Sequence, residues 1–173
     1  MGKSRVVEFG KIFLLCVGGA AVYGIVHDQF TTRIYLPYFT EFHPVIVNSQ
    51  DPTVLAFAWG VAATWWVGAI LSIGLSCAAL GGDMPWAPFK SIVRSVGVLL
   101  LVMATLAATV GLTAYYSGFH ALEFEVQTNG PFPTEKELRL FSAVWATHNT
   151  SYAVGGLGGI VLCIYTFIRR QKA

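Results

Sequence analysis

The sequence predicts an all-α membrane protein: a four-transmembrane-helix bundle with both termini cytoplasmic and a small ordered extracytoplasmic cap. Three observations predict it. Of the 173 residues, 55% are hydrophobic and only 12% charged, whereas a soluble domain carries roughly 25% charged residues to clothe its surface. The apolar residues fall in four runs of roughly membrane-spanning length. Lys and Arg collect on one side of those runs.

The first run covers residues 12–26 and follows Lys3, Arg5 and Lys11. A signal peptide begins the same way. This run continues through Tyr23 and Val26 without a convincing small-x-small cleavage site, so a retained helix over about 9–30 is expected. The second run, 54–80, is preceded by Asp51 and Pro52, an N-cap followed by proline at the first helical position. It predicts a helix over 53–80. The third run, 92–118, predicts one over 90–118. The fourth, 141–168, follows Thr134-Glu135-Lys136-Glu137, which reads as a capping box and predicts a helix over 135–169. The chain reads as a single transmembrane domain, 1–173, with outer loops at 31–52 and 119–134.

Orientation follows from the cations. Lys3, Arg5, Lys11, Lys90, Arg94, Arg169, Arg170 and Lys172 lie on one side, against Arg33, Lys136 and Arg139 on the other. The positive-inside rule puts the first group, and both termini, in the cytoplasm. The acids mirror this: only Glu8 and Asp83 fall inside, which leaves the outer face anionic. The net charge of +2 points away from nucleic acid. Cys16, Cys77 and Cys163 each sit inside an apolar run, with no C-x-x-C, and read as small packing residues.

Each helix carries a period-four stripe of small residues, expected to bring backbones together. These are Cys16, Ala20 and Gly24; then Gly60, Thr64, Gly68, Ser72 and Ser76; then Thr105, Thr109, Thr113 and Ser117; and a fourth stripe that includes Gly155-x-x-x-Gly159. The outer loops carry a β signal. Residues 31–47 are rich in β-branched and aromatic side chains. Leu122, Phe124 and Val126 alternate with Glu123, Glu125 and Gln127 before Asn129-Gly130. Short strands in the cap are therefore expected.

Counting about 20 residues of hydrocarbon from each inner charge puts all four histidines in the outer half. His27 and Asp28 fall about one turn inside the boundary, His148 at it, His120 just outside, and His43 in the outer loop. Imidazoles at one level beside carboxylates could converge on a transition metal, with His27, Asp28, His120 and His148 as the candidate ligands. Bis-histidine haem between His27 and His148 is the other cofactor reading. Nitrogens of these two residues more than about 8 Å apart would exclude one mononuclear site using both. The bland reading is that interfacial histidines donate to carbonyls or headgroups. Arg33, Glu41, His43, Asn149 and Tyr152 complete a polar cluster, with Asp28 and Arg33 expected to form a partly buried ion pair.

His27-Asp28-Gln29, Thr31, Arg33, Tyr38-Phe39-Thr40 and His43-Pro44, with Trp59-Gly60, residues 63–68 and His148-Asn149 through Tyr152, resemble an uncharacterised family of bacterial four-helix membrane proteins. The resemblance implies the fold and the inner membrane. It carries no assigned activity.

No nucleophile elbow, Walker loop or H-E-x-x-H occurs. The leading expectation is therefore a non-enzymatic accessory or interaction protein, partnered by the bilayer and by another membrane protein or a second copy. The alternative is a metal- or haem-binding membrane protein. A small-solute or ion carrier comes third, because the inner half offers few polar residues beyond hydroxyls.

Overall fold

The computed structural model describes residues 4–117 and 134–172. Its elements are α1 (Arg5–Ile34), α2 (Pro37–Thr40), α3 (Pro52–Ala62), α4 (Trp65–Leu80), α5 (Phe89–Ser117) and α6 (Glu135–Gln171). Taking α3 and α4 as one interrupted helix, the chain has four helices long and apolar enough to cross a membrane. No strand occurs among the described residues. Where β character was expected after α1, the chain makes the helical turn α2, with Pro37 in its first turn. The alternation at 122–127 lies outside the described residues.

Local chemistry sets the helix ends. An Asp51 carboxylate oxygen accepts from the N–H groups of Thr53 (2.7 Å) and Val54 (3.1 Å), which opens α3. The Thr134 hydroxyl accepts from the Glu137 N–H at 3.2 Å and opens α6. α1 runs past the expected end near residue 30. Its last turn is polar but folds back on itself: Thr32 Oγ1 donates to Asp28 O at 2.6 Å, and Arg33 Nη1 to Gln29 O at 2.7 Å. A cation in the last turn also suits the helix dipole.

The break between α3 and α4 has a similar cause. The Thr64 N–H reaches back to Val61 O, and the Thr64 hydroxyl takes the Gly60 carbonyl at 2.6 Å. A side chain replaces the backbone donor, and the helix is interrupted at residues 63 and 64.

α1 packs on α3 and α4 with backbones in contact. A Cβ added at Gly24 would collide with the Gly60 carbonyl, and one at Gly68 with the Cys16 carbonyl. Two stripes behave differently from expectation. Gly155 and Gly159 receive side chains, Met103 and Leu71, rather than a neighbouring backbone. Thr105, Thr109, Thr113 and Ser117 are exposed, and each hydroxyl donates to the carbonyl four residues earlier. Such back-bonding satisfies a hydroxyl on its own helix, so it needs no partner. The buried face of α5 is made by Ile92, Val96, Ala107, Gly111 and Ala114.

Two apolar clusters hold the ends of the bundle. One gathers Ile12, Cys16, Leu75, Ile92, Val96 and Leu162. The other gathers Tyr35, Tyr38, Phe39, Leu55, Phe141 and Val144. At the first end Arg170 is buried. Its guanidinium donates to the carbonyls of Ala78 (2.6 Å), Pro85 (2.8 Å), Gly81 (2.9 Å) and Met84 (3.0 Å). One side chain thereby ties the turn after α4 to the end of α6.

Candidate metal centre at one end of the bundle

At the other end, about 33 Å along α6 from Arg170, α1 and α6 bring three ionisable side chains together. His27 and Asp28 are consecutive on α1, and His148 comes from α6. One ligand-type atom from each lies within 4.8 Å of the others. His148 is held at both nitrogens: Nδ1 is 2.8 Å from Val144 O, and Nε2 is 3.1 Å from Asp28 Oδ1. A carbonyl oxygen only accepts, so Nδ1 carries a proton and donates. The Nε2–Oδ1 contact then needs one further proton, carried by the imidazolium or by the carboxyl. Thr31 Oγ1 donates to the same Oδ1 at 3.2 Å. Asp28 is only 4% exposed.

His27 is different. Its Nε2 is buried and has no hydrogen-bond partner among the described residues. The ring meets His148 edge-on, with centroids 4.7 Å apart, and stacks on Tyr23 at 5.6 Å. Leaving a buried polar atom unpaired costs about 1–3 kcal/mol. A ligand at Nε2 would remove that cost.

A cavity of about 90 Å³ adjoins the cluster. Its far walls are apolar, with Leu71, Leu99 and Met103. Near the cluster it is walled by Tyr23, bonded to Ser151 at 2.8 Å, and by Tyr152, whose hydroxyl donates to Ala63 O at 3.3 Å where the helix is interrupted. The turn α2 covers His148: Tyr38 stacks on the ring at 5.0 Å and Phe39 approaches at 5.6 Å. Burial, then the neighbouring Tyr152 and Asp28, hold the Tyr38 phenol well above its usual range, so it stays neutral.

The donor set fits a divalent cation. A metal about 2.1 Å from both Asp28 Oδ1 and His148 Nε2, which are 3.1 Å apart, would be bonded at about 95°, within the range of common coordination. Two ligands of one metal can be at most about 4.2 Å apart, so the widest pair in the cluster closes by no more than about 0.6 Å. A His148 that donates Nδ1–H to a carbonyl while Nε2 faces the ligand site has the usual outer support of a metal-binding imidazole. Haem does not fit between His27 and His148, because rings in edge contact leave no space for a porphyrin. Trp65 and Trp66 do not close that level; they are 51% and 45% exposed.

The chain matches no protein-family model, no curated protein and no solved structure. The site is read from geometry.

His120 is outside the described residues. His43 donates Nδ1–H to Tyr38 O at 2.7 Å and meets Trp59, away from the cluster. The expected Asp28–Arg33 pair does not form. Arg33 bonds the Gln29 side chain and Thr53 Oγ1, each at 2.7 Å, because the two residues leave α1 in different directions. Glu41 is exposed, and Asn149 donates to Trp145 O at 2.9 Å on its own helix.

Sequence reasoning missed Tyr23, Thr31 and Tyr38 as neighbours of the site. Tyr23 lies four residues before His27 and Thr31 three after Asp28, spacings that share a helix face and could have found them. Tyr38 reaches His148 only through the reversal at α2, which has no local signature.

Proposed function

We propose that the chain is a multi-pass protein of the bacterial inner membrane that binds a divalent transition metal at the outer mouth of its bundle, through His27, Asp28 and His148. The observation that carries this is the convergence of three ligand-type atoms, one from each residue, within 4.8 Å, beside a His27 ring whose buried Nε2 has no hydrogen-bond partner among the described residues. Two imidazoles and a carboxylate suit Zn(II) or Fe(II) and leave positions open for a further ligand. The adjoining cavity gives such a ligand room. The Lys and Arg distribution supports cytoplasmic termini, with the site on the outer side. A carrier is not favoured, because the α5 hydroxyls that would line a path face away from the interior.

A second reading follows from Asp28 and His148 already satisfying one another. There the pair is a structural latch between α1 and α6, in an accessory protein that associates with another membrane protein. The readings part at His27, which serves no bond in the latch. Titration with Co(II), read by its visible absorption, separates them. Saturable uptake at about one equivalent per chain, lost in His27→Ala without loss of folding, supports the metal site. No uptake by the parent chain leaves the latch.

A further inference from the structure

Between α5 and α6 an open groove of about 760 Å³ runs toward the end of the bundle that holds Arg170. Its walls are apolar, with Val98, Val102, Leu157 and Val161, and its mouth carries Arg94 and Arg169. A bowl of about 500 Å³ continues from it, sharing Ser91, Ser95, Tyr165 and Arg169, and adds Lys172. From Val154 to Arg169 the groove follows α6 for about 22 Å. The hydrocarbon of one leaflet is about 15 Å deep. The space is thus zoned like a phospholipid, apolar along one leaflet and cationic with hydroxyls at its edge.

Among the described residues the cations there have no counter-charge. Among the described residues the Arg169 side chain bonds the Tyr165 hydroxyl, at 3.0 Å, with its guanidinium 5.9 Å from the ring centre. Arg94 and Lys172 have no ion-pair partner among the described residues. Glu8 is taken by Lys11 at 2.8 Å, and Asp83 lines neither space. Arg170 is not free to bind, since its bonds to four carbonyls are already made. Its role is to fix the turn that shapes the bowl.

We propose that this groove holds an anionic phospholipid, with an acyl chain between α5 and α6 and the phosphate against Arg94 and Arg169. A zwitterionic headgroup would bring its own cation to a cationic mouth; an anionic one neutralises it.

The test is native mass spectrometry of the full chain, released from neutral detergent after incubation with phosphatidylglycerol, phosphatidylcholine or glycerol 3-phosphate. The expected result is retention of phosphatidylglycerol about tenfold or more above phosphatidylcholine, with no retention of glycerol 3-phosphate. The double variant Arg94→Gln/Arg169→Gln should lose that preference. Val161→Trp, which fills the groove and keeps the cations, should lower phosphatidylglycerol retention. Equal retention of the two lipids by the parent chain, which requires no variant, would overturn the proposal. So would a Val161→Trp protein that binds like the parent. Retention of glycerol 3-phosphate as strong as that of the lipid would assign the mouth to free phosphate and also overturn it.

Discussion

Asp28 Oδ1 lies 3.1 Å from Nε2 of His148, a residue 120 positions further along the chain. The contact joins α1 to α6 where Tyr38 covers the imidazole. Removing the carboxylate would strand His148 Nε2, while the Thr31 hydroxyl keeps the His27 carbonyl, 3.3 Å away, as an acceptor. Asp28→Ala should therefore lower stability by about 1–3 kcal/mol. Asp28→Asn should cost less, because an amide still offers hydrogen bonds at that position. Thermal unfolding in detergent, compared across parent and both variants, checks the order.

Gly24 and Gly60 let α1 and α3 touch through their backbones. Gly24→Ala drives a Cβ into the Gly60 carbonyl and should cost about 1–3 kcal/mol or more, as overpacking does. Gly97→Ala is the control: nothing lies within 4 Å of a Cβ there, and helix propensity favours Ala. A melting temperature depressed by the first and held or raised by the second is expected.

Arg170 is tied to the Ala78 carbonyl in the last turn of α4 and to three carbonyls of the turn that follows, those of Gly81, Met84 and Pro85. Arg170→Met should destabilise by at least about 3 kcal/mol, since hydrogen bonds to a charged donor are worth about 1.5–3 kcal/mol each. Arg170→Lys should recover only part of this, because an ammonium lacks the planar fork that reaches several carbonyls at once. Limited proteolysis should show the turn at 81–88 opening in the Met variant before the helices unfold.

Orientation is checked by cysteine labelling with an impermeant maleimide in intact cells, on a background with Cys16, Cys77 and Cys163 replaced by Ser. Gln50→Cys, in the exposed segment before α3, should react from outside. Gln171→Cys, at the end of α6, should react only after the membrane is opened.

Much of the fold is legible because lipid imposes one strong rule: a chain crossing it needs long apolar helices. The four runs state that directly. Which small residues make contact is less legible, because one pattern has two physical meanings. Gly24 and Gly60 have no side chain and permit approach. Thr105 and Thr109 can satisfy themselves on their own helix and face outward. At the site, His27, Asp28 and His148 could be placed at one level by counting residues, but their meeting depends on how α1 and α6 rotate, which packing decides. The Asp28–Arg33 pairing failed for the same reason, since five residues along a helix point two side chains to different sides. α2 is not legible because β-branched and aromatic residues suit either a strand or a covering turn.

The central claim is that His27, Asp28 and His148 hold one metal. Elemental analysis of protein purified without chelator tests it most directly, run on the parent and on His27→Ala, which removes an Nε2 that has no hydrogen-bond partner among the described residues. The account predicts about one transition metal per chain in the parent. Near zero is expected in the variant, which should still fold, with a melting temperature lowered by the loss of the metal and of the ring contacts. A parent chain without stoichiometric metal, or a His27→Ala chain that retains it in full, would contradict the account.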